Sequence, residues 1–152
     1  MTELSDIAKF KAAKATSSDA KIMTATAGAD ASRGSYAIEV KRLAETHRLV
    51  AATTFADTTT TKVGAVGDTM ALTVGTKSFT VEIGNKTLDE IRTAINSATA
   101  NTGVTASTLK DALGYHLTLA SNATGAANLV DVKFHTLADP ITDLPDPFAL
   151  AT

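Results

Sequence analysis

A period of two dominates the chain. Tyr36, Ile38 and Val40 alternate with Ala37, Glu39 and Lys41, which predicts a half-buried strand over 36–41. Met70, Leu72 and Val74 alternate in the same way, and so do Phe79, Val81 and Ile83. The link between them, Gly75 to Ser78, contains a glycine and predicts a β-hairpin. Val104 and Ala106, then Tyr115, Leu117 and Leu119 beyond a turn at 111–114, then Val130, Val132 and Phe134, predict three further strands. The rhythm breaks once. Leu88, Ile91, Ala94, Ile95 and Ala98 recur at helical spacing. Thr87 and Glu90 fit a capping box, and Asp89 with Glu90 suits the positive end of the helix dipole. A helix over about 88–98 follows, ending before Asn101-Thr102-Gly103.

The remaining segments are weaker. Residues 1–15 carry a thin stripe of Leu4, Ile7 and Phe10 among alanines, which reads as a short helical stub, marginal alone in water. Residues 16–35 are small and polar, with Ile22 and Met23 as anchors for one short strand. Leu43 and Leu49 would extend the 36–41 strand past an irregular stretch, and 53–68 read as a loop. Pro140, Pro145 and Pro147 argue against regular structure from 139 onward. The expected architecture is α+β: a β-rich head of antiparallel or mixed sheet carrying one main amphipathic helix. The expected organisation is a helical stub over 1–15, a head over 16–138 divisible into 16–55 and 56–138, and a Pro-rich tail or linker over 139–152.

Composition makes the core thin. Leu, Ile, Val and Phe total 34 of 152 residues, against 28 Ala, and the 26 Thr favour half-buried pleated surface. With 14 basic and 16 acidic residues and a net charge of −2, nothing attracts the chain to nucleic acid. No apolar run approaches the ~18 residues of a membrane span, and the first residues lack the basic and apolar regions of a Sec signal peptide. The absence of Cys removes disulfides, thiolate metal sites and Cys nucleophiles without fixing the compartment.

Candidate chemistry is sparse. His47, His116 and His135 are scattered without metal-ligand spacing and read as surface residues. Asp89 and Glu90 are explained by capping, and Asp143 and Asp146 lie in the Pro-rich tail with nothing to desolvate them. Nucleophile elbows and phosphate-binding glycine loops are absent. The Thr58–Thr61 run has no adjacent base and reads as a solvated loop. The sequons at Asn85 and Asn122 supply a helix cap and a loop. Tyr36, Phe79, Tyr115 and Phe134 fall on apolar strand phases and read as core. No catalytic, cofactor-binding or metal-binding residue is nominated, and the residues read as a non-enzymatic β-rich module.

The segments taken together resemble a family. Lys14-Ala15-Thr16-Ser17-Ser18-Asp19, Thr24-Ala25-Thr26-Ala27, Gly34 to Val40 and Leu43-Ala44 are similar to the N-terminal region of flagellar hook-associated protein 2, the bacterial filament cap (FliD) family. Thr87 to Asn96 followed by Gly103 to Ser107 resembles the hook IN motif shared by cap, junction and flagellin proteins, and Gly114 to Leu119 and Thr124 to Asn128 continue the match in order. Lys110 to Leu113 departs from a more Gly-rich turn, and Lys41, Arg42 and His47 are more basic than the pattern. The resemblance implies a fragment of a secreted, oligomeric cap at the filament tip that guides flagellin into place, and in some bacteria adheres to host surfaces. It implies flagellin and other cap subunits as partners, an extracellular flagellar location, and no catalysis or cofactor. Residues 1–13 would be a stub of helical legs, and without those legs the fragment itself is expected to be monomeric. The alternatives are the hook–filament junction protein and an adhesin or phage-tail β module.

Overall fold

The computed structural model describes residues 13–28, 30–139 and 142–152, and the chain divides at residues 43 and 44 into two compact units. The expected helical stub falls mostly outside the described residues, and 13–15 carry no helix.

Within the first unit the expected strand over 36–41 is not formed. Tyr36, Ile38 and Val40 are 79%, 61% and 48% exposed. Alternation gives a strand two faces, but a strand also needs a hydrogen-bonded neighbour and a surface to cover, and no described strand runs beside this segment. Ile22 and Met23 do not anchor a strand either. Their N–H groups both close a turn onto the Asp19 carbonyl, at 3.2 Å.

The second unit is β-rich. Its strands are β1 (Thr46–Ala51), β2 (Lys62–Val63), β3 (Asp68–Val74), β4 (Lys77–Glu82), β5 (Lys86–Thr87), β6 (Val104–Lys110), β7 (Tyr115–Thr124), β8 (Val130–Thr136) and β9 (Leu150–Ala151), and helix α1 spans Leu88–Ser97. Three sheets result, in the orders β6-β7-β1-β9, β4-β3-β8 and β2-β5, and every pairing is antiparallel.

The β3–β4 hairpin turns on Gly75 and Thr76 alone. Val74 pairs with Lys77, so the link is shorter than Gly75 to Ser78. Gly75, at φ 62°, occupies the first turn position, which only glycine enters freely. Helix α1 starts as its sequence dictates. The Thr87 hydroxyl accepts from Glu90 N–H at 3.3 Å, and Glu90 reaches back to accept from Thr87 N–H at 2.7 Å. Leu88, Ile91 and Ile95 are fully buried against β6 and β4, each worth about 1.5–3 kcal/mol of apolar burial. The helix ends at Ser97, with Ala98 as its C-cap.

Three segments of this unit differ from expectation, the first being the expected loop over 53–68, which contains β2 and the first residue of β3. β1 is a full strand in its own right, paired with β7 on one side and β9 on the other. The Pro-rich tail does not trail away. Phe148 is completely buried, its ring 6.0 Å from those of both Phe55 and Phe134, and Leu150–Ala151 forms β9 on the edge of β1. The prolines precede this stretch, and its Phe148 and Ala149 carbonyls accept from the Thr53 and Ala52 N–H groups, at 3.0 and 3.1 Å, just beyond β1.

Candidate interaction surfaces

Among the described residues no group of three or more His, Cys, Asp or Glu could hold a metal ion, and none of the helices is long and apolar enough to cross a membrane. The β6–β7 hairpin and helix α1 form a surface built by side-chain to main-chain hydrogen bonds.

β6 is an edge strand. Val104 and Ala106 turn their N–H and C=O away from β7, and two asparagines meet them. The Asn96 side chain accepts from Ala106 N–H and donates to Ala106 C=O, both at 2.8 Å. Asn101 accepts from Gly103 and Val104 N–H at 2.9 Å and donates to the Ile95 and Val104 carbonyls. The two amides stand in for a neighbouring strand and blunt the edge. Nothing local in the sequence marks them, since both sit at polar positions of a helix and its exit. Thr108 and Lys110, next in the alternation, face outward beyond this cover.

The hairpin ends in a tip at 111–114. Asp111 accepts from Leu113 N–H at 2.7 Å and Gly114 N–H at 3.0 Å, an Asx turn. Gly114 has φ 145°, and a Cβ there would lie 2.7 Å from the Phe55 carbonyl oxygen. Leu113 at the apex is 79% exposed and Leu109 is also exposed, so the tip presents two leucines to solvent. Lys110 lies over the Tyr115 ring, 5.0 Å from its centroid.

His116 and His135 are buried, contrary to their reading as surface residues. Each occupies a polar phase, but main-chain carbonyls from neighbouring segments cover it. His116 Nδ1 lies 2.7 Å from the Ala51 carbonyl, and its Nε2 lies 3.0 Å from Asp111 Oδ2, a charge pairing off the line of a directed hydrogen bond. The Ala51 carbonyl and then Asp111 raise the His116 pKa above the ordinary imidazole value, against the opposing effect of burial. The Asp111 pKa is lowered, first by the Leu113 N–H and then by His116 and Gly114 N–H. His135 Nδ1 approaches the Thr142 carbonyl at 3.2 Å. His47 Nδ1 accepts from Val130 N–H at 3.0 Å, joining β1 to β8.

Several acidic residues serve local structure. Glu90 closes the capping box and pairs with Lys62 at 3.2 Å, and its pKa falls to about 2, chiefly through the Thr87 N–H. Asp57 gathers the N–H groups of Thr59, Thr60 and Thr61 and the hydroxyls of the last two, which hold its carboxyl well below the usual range. The threonine run is therefore an ordered turn, and its Thr58 carbonyl accepts from Asp89 N–H at the start of α1. Asp143 pairs with Lys133 at 3.2 Å, and Asp146 accepts from the N–H groups of Phe148 and Leu150. Sequons aside, Thr87 is the N-cap and Asn122 accepts from the Thr105 hydroxyl. In the first unit a cleft of about 160 Å³ is lined in part by Ile22, Met23, Tyr36, Ile38 and Val40. Tyr36 therefore lines an open surface and is not core.

The matches of this β-rich body with one capped helix are to flagellar proteins. The model for the flagellin hook IN motif matches residues 69–123, which span β3 to β7, and the model for the flagellar hook-associated protein 2 N-terminus matches residues 1–47. The chain belongs to the flagellar hook-associated protein 2 family. It is 32% identical over 141 residues to flagellar hook-associated protein 2 of Vibrio cholerae, covering 92% of this chain and 20% of that protein. It is 35% identical over 136 residues to the B-type flagellar hook-associated protein 2 of Pseudomonas aeruginosa, covering 88% of this chain and 28% of that one. The chain thus spans about a quarter or less of the length of these relatives. The D2-D3 domains of the flagellar cap protein FliD from Serratia marcescens match with a TM-score of 0.58 at 26% identity, over 74% of this chain and 64% of that one. The FliD D1-D2-D3 domains from Escherichia coli match with a TM-score of 0.57 at 28% identity, over 66% and 30%.

Proposed function

We propose that this chain is part of the outward-facing head of a bacterial filament cap, a structural and non-enzymatic component at the extracellular tip of the flagellum. Its partners in this reading are flagellin and neighbouring cap subunits, and its task is to help exported flagellin polymerise. Within it residues 16–138 are head, and the residues before them lead into the legs. One observation carries the reading: the hook-associated protein 2 N-terminus over 1–47 and the hook IN motif over 69–123 occur in that order in one chain. The first of these favours the cap over the hook–filament junction protein. The physical character of the chain agrees. Several of its carboxylates serve caps, turns and exposed ion pairs, and a Cys-free sequence has no thiols to misoxidise during export.

The test is genetic. In a bacterium whose full-length gene contains this segment, deleting the codons for 44–152 should leave short or absent filaments and unpolymerised flagellin in the medium. The intact gene should restore filaments. Normal filaments in the deletion strain would overturn the proposal.

A further inference from the structure

We infer that the β6–β7 tip is a pH-sensitive element, held in place by His116 as an imidazolium and loosened when that ring loses its proton. The geometry is specific. Both ring nitrogens of a buried histidine face acceptors, the Ala51 carbonyl of β1 at 2.7 Å and the Asp111 carboxylate of the tip at 3.0 Å. A neutral imidazole keeps one N–H, which Nδ1 gives to the Ala51 carbonyl, and brings no charge to Asp111. The other nitrogen would then turn a lone pair towards an acceptor. The imidazolium donates from Nδ1 to Ala51 and sets its positive charge beside the Asp111 carboxylate, linking two segments far apart in sequence.

Asp111 makes the bridge consequential. One carboxylate oxygen, Oδ1, organises the tip through the Leu113 and Gly114 N–H groups, and the other, Oδ2, meets His116. The turn that presents exposed Leu113 is therefore tied to the body through this histidine. Other charged groups on the surrounding elements are engaged elsewhere or distant. Lys110 lies over the Tyr115 ring. Arg48 of β1 pairs with Ala120, four residues and about 13 Å along β7 from His116. Asp57 binds its own threonines, and Asp146 binds Phe148 and Leu150 N–H. The raised pKa of His116 agrees with the geometry. A raised pKa places the stabilisation below the ordinary imidazole value and removes it as pH rises through the folded value.

The experiment uses the 152-residue chain. NMR titration of the imidazole resonances from about pH 5 to about pH 9 gives the His116 midpoint. Amide exchange at Leu113 and Gly114, corrected for its intrinsic pH dependence, follows the tip. Asp111→Asn keeps the Oδ1 acceptor of the turn and removes the charge. The expected result is a lower His116 midpoint in D111N, with wild-type tip protection falling across the wild-type midpoint. The fall should reach about tenfold for each pH unit separating the two midpoints. An unchanged midpoint in D111N, or wild-type tip protection that is flat across the range, overturns the inference. If D111N does not fold, the wild-type exchange profile decides alone.

Discussion

The side chain of Asn96 holds Ala106 by both of its outward main-chain groups, accepting from the N–H and donating to the C=O at 2.8 Å each. A helix residue thus completes a strand that has a partner on one side only. Ala106 is buried, so removing the amide leaves a donor and an acceptor without partners. Asn96→Ala should destabilise the chain by about 2 kcal/mol, read as a shift in the urea midpoint at unchanged slope. It should also raise concentration-dependent self-association, because the edge it uncovers can template another strand. A midpoint within error of wild type would show the contact to be incidental.

Phe148 carries a second expectation. It is fully buried and its ring packs against both Phe55 and Phe134, which ties the end of the chain to the loop after β1 and to β8. Phe148→Ala should cost about 3–5 kcal/mol. In a thin core that is a large share of a typical stability of about 5–15 kcal/mol. Thermal unfolding followed by circular dichroism checks it. A linker residue would tolerate the change with no shift in Tm.

Local signals and distant ones explain what could be read from the residues. Helix α1 and the β3–β4 hairpin were legible because their determinants are adjacent in sequence: Thr87 and Glu90 three apart, Gly75 at the turn, and strict alternation on either side. β1 was not, because Thr46-His47-Arg48 reads as polar and its strand exists through pairing with β7 some seventy residues later. Tyr36 to Val40 shows the reverse, a good local pattern with no described strand to pair with. The same logic applies to the surfaces. The family resemblance lay in short contiguous segments, from 14–19 to 124–128, made specific by their order along the chain. The pairing of Asp111 with His116, and the Asn96 and Asn101 edge caps, depend on which strands become neighbours.

Gly84 is held by contact and not by an unusual backbone angle. A Cβ at this position would overlap the Ala65 carbonyl oxygen and come within 2.8 Å of Asp68 N and 2.9 Å of Gly67 N. All three are main-chain atoms of the turn into β3, which cannot step aside as a side chain would. Gly84 N–H also donates to Asp68 C=O at 3.0 Å, so the two segments are bonded at this spot. Gly84→Ala should destabilise by about 3 kcal/mol, the upper end for overpacking. Gly28→Ala should be close to neutral, because a Cβ there meets nothing within 4 Å. Denaturant curves for the pair give the comparison, and equal midpoints would contradict it.

The capping box at α1 makes stability depend on pH in a defined direction. Thr87→Ala removes the acceptor for Glu90 N–H and should cost about 1 kcal/mol. Glu90 acts through its charge as well. Its carboxylate accepts from Thr87 N–H and pairs with Lys62, and its pKa is lowered from 4.5 to about 2. A lowered pKa means that the folded state favours the ionised form. The stabilisation is therefore complete above pH 4.5 and disappears as pH falls towards 2. Glu90→Gln keeps an acceptor but loses the charge, so it should melt below wild type at neutral pH. The difference in Tm between the two should close across that acidic window. Asp57 and Asp111 also have lowered pKa values and weaken both proteins alike in acid, which is why the difference between the two proteins is the quantity to follow. A gap that stays constant from neutral pH down to 2 would mean that the charge of Glu90 contributes nothing to the helix start.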